Sequence, residues 1–387
     1  RGVRRIRFAG GPDGEGGGPV SSQVKAAALR EPLVRIAKRT DISKGQAWAI
    51  RAAAILLALV AGGLIVLAMG HNPFLVYADM AGGALGNKTG LKETVKIAVP
   101  LLGAALAIAP AFKMKFWNIG AEGQILAGGI AATYFALFWA DKLPQVPLLL
   151  LMFLAAAVAG AFWGLIPAVF KAKWGTNETL FTLMLNYIAL GIEQYLQNGP
   201  WKDTKGTGFP IIAQFAKGAR LPKVFGVHAG WIIVLIFVVL MFLYLRYTKQ
   251  GYEISVVGDS ENTARYAGIN VKKVTIRTMA ISGAICGLAG FIAVAGASHT
   301  ISTSTAGGRG FTAIIVAWLA QFNTFVMILI SFLLVFLQKG AIQIASQFNL
   351  NDYASNIITG IILFFILGSE FFINYRIILR GGKEGAK

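Results

Sequence analysis

Apolar runs of about 20 residues recur from residue 48 to residue 375, and that is the length a helix needs to cross ~30 Å of hydrocarbon. Repeated runs of this length leave few choices of fold. A soluble domain cannot bury so many of them, and in lipid the backbone must satisfy its own hydrogen bonds, as helices do. Charge agrees: only 14% of the 387 residues are charged, against about a quarter in a soluble domain. A membrane β-barrel would show alternating segments of ~10 residues, and the chain has none. The fold class is all-α, a polytopic helical membrane protein.

About ten spans are predicted, near 48–69, 91–111, 119–139, 147–170, 179–198, 230–247, 274–298, 311–322, 324–343 and 354–375. The eighth is too short for an ordinary span and reads as a half-helix or tilted stub. Pro100 and Pro110 make the second a candidate for a broken helix. Residues 1–46 read as a basic, Gly-rich, largely disordered cytoplasmic tail, with GGPDGEGGG at 10–18 as linker. The chain opens with Arg1, its first methionine is Met69, and the tail lacks the apolar core of a signal peptide, so roughly the first 28 residues carry no functional reading. Residues 47–376 form the transmembrane domain and 377–387 a second cytoplasmic tail.

With the N-terminus in the cytoplasm, 25 of the 36 Lys and Arg fall inside, as the positive-inside rule requires. That sorting accounts for much of the +19 net charge and removes the need for nucleic acid as a partner. Trp48, Trp117, Trp139, Trp174, Trp231, Tyr247 and Tyr375 sit near span ends as an aromatic belt. The single cysteine, Cys286, lies in an apolar run and reads as a packing residue. Three scattered histidines and one cysteine offer no metal site. AGGALGNKTG at 81–90 imitates a phosphate loop but lacks its first glycine and separates Gly86 from Lys88, so it is no ATP site.

Four polar stretches interrupt the apolar pattern. KFWNIGAEGQILAGG, 115–129, holds Asn118, Glu122 and Gln124 among glycines. It reads either as a polar patch lining a solute path or as a loop followed by a helix start, where Glu122 favours the N-terminal dipole. WGTNETLFTLMLNYIALGIEQYLQ, 174–197, has Asn177 as a helix cap and Asn186 in mid-span, facing either a cavity or a partner helix. GASHTISTSTAGGRGFTAI, 296–314, puts Ser302, Thr303 and Arg309 between a full span and a short one that Phe311 opens. It reads either as a common short polar loop or as the Ser/Thr/Gly backbone beside a truncated helix with which many transporters build a site. KQGYEISVVGDSENTARYAGINVKKV, 249–274, encodes a short helix from the Ser260 cap through Tyr266, ended by Gly268. A helix of two turns is unstable alone in water. It reads as a helix that docks on a cytoplasmic partner, against the plainer reading of an interfacial loop helix. Gly160/Gly164 and Gly283/Gly287 are spaced for close helix packing.

Taken in order, FWNIGAEGQILAGG, TNETLFTLMLNYIALG, GDSENTARYAGINVKKVTIRTMAISGAICGLAG and GGRGFTAIIVAW resemble the inner-membrane permease subunits of bacterial ABC importers. The chain is most similar to the simple-sugar and nucleoside permeases that work with basic-membrane-protein-type binding proteins. The resemblance covers about residues 47–375; the motifs are specific together and weak singly. It implies a pathway built by two permeases, identical or related, driven by two cytoplasmic ABC ATPases. It further implies solute delivery by an extracytoplasmic lipoprotein or periplasmic protein. This chain would bind no cofactor, since ATP and magnesium are used by the partner ATPase, and it would make no covalent change. It would sit in the bacterial inner membrane with both termini cytoplasmic. The candidates for the solute path are then Asn118, Glu122, Gln124, Asn186, Ser302, Thr303, Arg309 and Phe311. The resemblance places ATPase coupling at Asp259, Ser260, Glu261, Ala264, Arg265, Tyr266, Ala267 and Gly268. After AIIVAW the family usually continues with Gly and later Pro, whereas this chain has LAQFNTF. Three rivals remain: a transporter coupled to an ion through Glu122 or Glu193, a membrane enzyme, and a receptor-like membrane protein.

Overall fold

The computed structural model describes residues 34–39, 42–203, 210–348 and 352–379. Thirteen helices follow one another among them: α1 (Lys44–Ala68), α2 (Pro73–Leu85), α3 (Lys88–Lys113), α4 (Ala121–Phe138), α5 (Gln145–Trp174), α6 (Glu178–Asn198), α7 (Gly230–Tyr247), α8 (Lys249–Asp259), α9 (Glu261–Tyr266), α10 (Val271–Ile292), α11 (Arg309–Leu319), α12 (Thr324–Gln347) and α13 (Asp352–Asn374). Seven are long and apolar enough to cross a membrane: α1, α3, α5, α7, α10 with its continuation, α12 and α13. The other three expected spans are the helices α4, α6 and α11, whose polar residues or short length set them apart.

The centre of the molecule is α10, packed against α5, α3 and α4. Glycine makes this possible by removing side chains where backbones meet. A Cβ on Gly160 of α5 would stand 2.3 Å from the carbonyl oxygen of Gly283 on α10, and one on Gly128 of α4 only 2.3 Å from the Cα of Gly287. The small-residue spacings read from the sequence are therefore one seam, with α10 between α4 and α5. Cys286 lies fully buried in the same helix.

Four features differ from the sequence reading. First, α3 runs unbroken through Pro100 and Pro110. Its neighbours α10, α11, α12 and α7 enclose it, and packed protein tolerates the freed backbone groups that lipid would not. Second, the stretch expected as an outer loop contains α2, 13 residues packed on α12. HNPF carried the signal: the Asn72 side chain accepts from the Phe74 N–H at 2.9 Å, and Pro73 fills the first helical position. In the phosphate-loop look-alike, Asn87 caps α3 by accepting from the Gly90 N–H at 2.6 Å. Third, α9 is preceded by α8, which leans its glycines on backbone; a Cβ on Gly258 would stand 2.0 Å from the Lys113 oxygen. Fourth, part of the tail expected to lack structure is a strand. β1 (Val34–Lys38) pairs antiparallel with β4 (Tyr375–Leu379), from Val34 against Leu379 to Lys38 against Tyr375. The expected boundary at 377 thus falls inside β4 and the one at 46 inside α1, which already begins at Lys44; residues 1–33, 40–41 and 380–387 of the two tails lie outside the described residues.

A short hairpin, β2 (Lys223–Val224) with β3 (Val227–His228), precedes α7. At the point where LAQFNTF departs from the family pattern, Gln321 and Phe322 both take left-handed conformations (φ 49° and 60°), costly for residues with a Cβ. Asn323 then starts α12, its side chain accepting from the Phe325 N–H at 3.1 Å.

Candidate site where two helix starts meet

α4 and α11 both begin inside the molecule, and each start leaves N–H groups without intrahelical partners. At α11 the cap residue is Gly308, in a left-handed conformation (φ 77°) and with no side chain to offer. The missing acceptor comes from α4. Glu122 accepts the Gly308 N–H on Oε1 and the Gly310 N–H on Oε2, each at 2.6 Å. Glu122 also stands in the first turn of its own helix, so one carboxylate faces two positive helix ends. Arg309 adds its charge to the same place, and its guanidinium donates to the Thr305 carbonyl. The contact is too close for any residue but glycine at 310, where a Cβ would stand 2.4 Å from the Glu122 nitrogen.

The turn before α4 is held from the other side. Asn186 on α6 accepts the Gly123 N–H at 2.8 Å and donates to the Ile119 carbonyl at 2.9 Å. Thr182, one turn earlier, accepts the Ile119 N–H at 3.2 Å. Asn118 and Gln124 are buried and bonded to each other twice, Nδ2 to Oε1 at 3.3 Å and Nε2 to Oδ1 at 3.2 Å. Asn118 also reaches Ser282 on α10 at 3.4 Å. A helix starting near Asn118 would have set it one turn before Glu122; instead α4 starts at Ala121 and Asn118 belongs to the turn ahead of it.

Four of the candidates, Asn118, Glu122, Gln124 and Asn186, are thus brought into one polar cluster and are spent on protein groups. Arg309 joins them through α11. Ser302 and Thr303 lie in the turns leading to α11, Ser302 bonded to Ser304 at 2.9 Å, and Thr303 is exposed. Phe311 points away from the cluster and is exposed. Ser282, Thr182, Gly308 and Gly310 were not singled out from the sequence as partners. Only the glycine pair had a signal, the GGRGF run before a short apolar helix.

Beside α11 lies a cleft of about 410 Å³ between α3, α12 and α13, lined on its polar side by Ser304, Arg309, Thr312, Gln338 and Lys339. It contains no Asp or Glu among the described residues. The outward face of α11 carries Phe311 and Trp318, and Trp318 stacks on Trp117 with ring centres 6.0 Å apart.

Next to the C-terminal end of α3, α9 stands as read from the sequence: Ser260 accepts the Thr263 N–H at 3.3 Å, and Gly268 takes the left-handed conformation that ends it (φ 76°). Ala264 is 0% exposed and roots the helix in this chain, while Tyr266 is 94% exposed. Glu261, Arg265, Ala267 and Gly268 are also exposed, as is Asp259 at the end of α8. A groove next to α9 is lined by Lys115, Lys171, Lys173, Arg265 and Lys272 together with Glu178 and Glu261. Lys171 is paired with Glu178 at 2.8 Å.

Residues 91–367 match the family described as "Branched-chain amino acid transport system / permease component". A glucose ABC transporter permease protein of Haloferax volcanii is 35% identical over 86% of this chain and 90% of its own length. A guanosine ABC transporter permease protein of Bacillus subtilis is 31% identical over 82% of this chain and 92% of its own. A nucleoside ABC transporter permease protein of Lactococcus lactis is 32% identical over 81% of this chain and 88% of its own. With apolar helices to span a bilayer, a short helix started by another helix's carboxylate, and these relatives over most of its length, the chain belongs to the permease-component family of ABC transport systems.

Proposed function

We propose that this permease imports a neutral, hydroxyl-rich solute, a nucleoside first and a simple sugar next, along a path bordered by α11. The cleft beside α11 carries the reading. Its polar lining offers hydroxyl, amide and cationic donors, which suit the hydroxyl and carbonyl oxygens of such a solute. A free amino acid, the cargo in the family's description, would bring an ammonium group. The cleft has no carboxylate to receive it, and both oxygens of nearby Glu122 are occupied by Gly308 and Gly310. Arg309, Ser304 and Thr312 are then the residues beside the solute, and Phe311, on the outward face of α11, is not among those that line the cleft. Asn118, Glu122, Gln124 and Asn186 hold the start of α11 in position.

Both termini lie on the cytoplasmic side, where α9 meets an ABC ATPase. Tyr266 and Arg265 are the contact residues and Ala264 is the root. ATP and magnesium belong to the ATPase, and this chain performs no covalent step. A second permease, identical or related, completes the pathway, and an extracytoplasmic binding protein loads it. The rival with an observation of its own is an ion-coupled carrier. Glu193 of α6 is 0% exposed and neither carboxylate oxygen has a hydrogen-bond partner.

Uptake into vesicles containing the full assembly tests both readings. Labelled guanosine or glucose entering only with ATP, and leucine not at all, is the expected result. Uptake driven by an ion gradient without ATPases, and lost in Glu193→Gln, would transfer the assignment to the rival.

A further inference from the structure

α1 and α13 leave an open groove of about 640 Å³ between them. Its walls are apolar: Ile50, Ala54 and Leu57 on α1, Phe364, Phe365 and Phe372 on α13. Two arginines, Arg39 and Arg376, and Tyr375 also line it. They stand where the β1–β4 ribbon leaves the two helices, so the ribbon holds both cations at the membrane edge of the groove. Arg39 is fixed by its backbone N–H to the Asn374 carbonyl at 2.8 Å and by Nη1 to the Phe372 carbonyl at 3.4 Å. A guanidinium has five N–H donors, so most of its capacity is left over. The side chain of Arg376 has no hydrogen bond or ion pair with any described residue, its backbone pairing with Ala37 in the ribbon. Among the described residues no acid lines the groove, and Glu370, on α13, is engaged by Arg51 at 2.8 Å and Gln321 at 3.1 Å.

We propose that this groove is a binding site for an anionic phospholipid of the leaflet at which α1 begins, its phosphate held by Arg39 and Arg376 and one acyl chain lying between α1 and α13. The pairing of charge with an apolar slot selects the occupant. A soluble anion would use the arginines and leave the slot empty. A neutral lipid would fill the slot and leave two cations uncompensated. An anionic lipid satisfies both, and each arginine near a membrane surface is worth ~5-fold in affinity for acidic headgroups. The site is separate from the path beside α11 and does not depend on the solute. Its physical consequence is a brace: α1 contacts the body of the protein chiefly through α13, and a lipid seated between them ties the ribbon to both helices.

Native mass spectrometry of the full-length chain, titrated with phosphatidylglycerol or phosphatidylcholine, tests the site. Phosphatidylglycerol should be retained at least ~10-fold more strongly, and Arg39→Gln with Arg376→Gln should bring it down to the phosphatidylcholine level. Arg39→Lys with Arg376→Lys should keep most of the preference. Leu57→Trp, which fills the slot at an exposed position, should weaken both lipids while leaving the arginines in place. Equal retention of the two lipids by the unmodified chain would overturn the proposal. So would phosphatidylglycerol binding that survives the double Gln change, or that inorganic phosphate alone displaces. If the double Gln variant does not fold, undiminished retention of phosphatidylglycerol by Leu57→Trp overturns it instead.

Discussion

The α4–α5–α10 seam and the α1–α13 pair are both apolar helices in the same bilayer, yet they are built in opposite ways. In the span containing α10, 83% of the apolar window is buried inside the protein, against 22% for α1 and for α13; α5, which flanks α10 in the seam, is likewise buried over only 22% of its window. The seam joins backbone to backbone: Gly128, Gly160, Gly283 and Gly287 leave no room for a Cβ. The α1–α13 pair leaves an open groove between the two helices, walled by Leu57, Phe364 and Phe372, and Gly360 of α13 has nothing within 4 Å of where its Cβ would stand. Lipid offers no hydrophobic reward for bringing two helices together, so contact has to come from close packing and polar bonds. The seam has both, and the polar cluster that starts α11 is built on it. In the outer pair a carboxylate–arginine bond from Glu370 to Arg51 supplies the polar tie.

The sharpest way to break this contrast is a matched pair of substitutions. Gly283→Leu forces a side chain into the Gly160 carbonyl and is expected to abolish a monodisperse folded peak in size-exclusion chromatography, since even ordinary overpacking costs about 1–3 kcal/mol. Gly360→Leu, the same change on the outer helix, should leave the peak and the melting temperature within about 0.5 kcal/mol of the unmodified chain. Equal damage from both would mean the two regions are not built differently after all.

Next in size is Glu122→Ala, which strands the Gly308 and Gly310 N–H groups. Bonds to a charged acceptor are worth about 1.5–3 kcal/mol each, so transport should fall by more than tenfold even in molecules that insert. Glu122→Gln keeps one good acceptor and should fall between. A Glu122→Ala protein with unimpaired transport would show that α11 does not need its start held.

Asn186→Leu leaves one N–H and one carbonyl unpaired at the α4 start, at about 1–3 kcal/mol each. Thermal stability and transport should decline together. Transport lost at unchanged stability would instead put the amide in contact with solute.

The smallest structural effect is expected at α9. Tyr266→Asp alters an exposed side chain and should leave melting within about 0.5 kcal/mol, while uncoupling ATP hydrolysis from uptake. Ala264→Asp is a poorer probe, because Ala264 is buried in this chain and a charge there would damage the helix itself. Normal coupling in Tyr266→Asp would remove α9 from the ATPase contact.

What could be read without coordinates was what depends on neighbours in sequence. Apolar run length identified the membrane class and a helix for every predicted span, and the S-x-x-x-x-R-Y-A-G stretch identified α9 with its start and stop. Both are signals of local physics: hydropathy over one helix length, and a cap beside its own turn. Local signals for α2 and α8 were also present, in Asn72–Pro73 and Thr248, and were hidden by reading the stretches between spans as loops. The polar cluster was a different matter. That Asn118, Glu122, Gln124 and Asn186 needed partners followed from their depth in apolar sequence; which partners did not. Glu122 is bonded to a residue 186 positions away, and Asn186 closes on the turn before α4 across 67. Solute path and helix clamp make the same demand for a polar side chain at depth, so composition cannot tell them apart. Only the packing of α10 against α4 and α5, which brings two helix starts to one carboxylate, decided which of these side chains are spent on the protein and which remain beside the cleft.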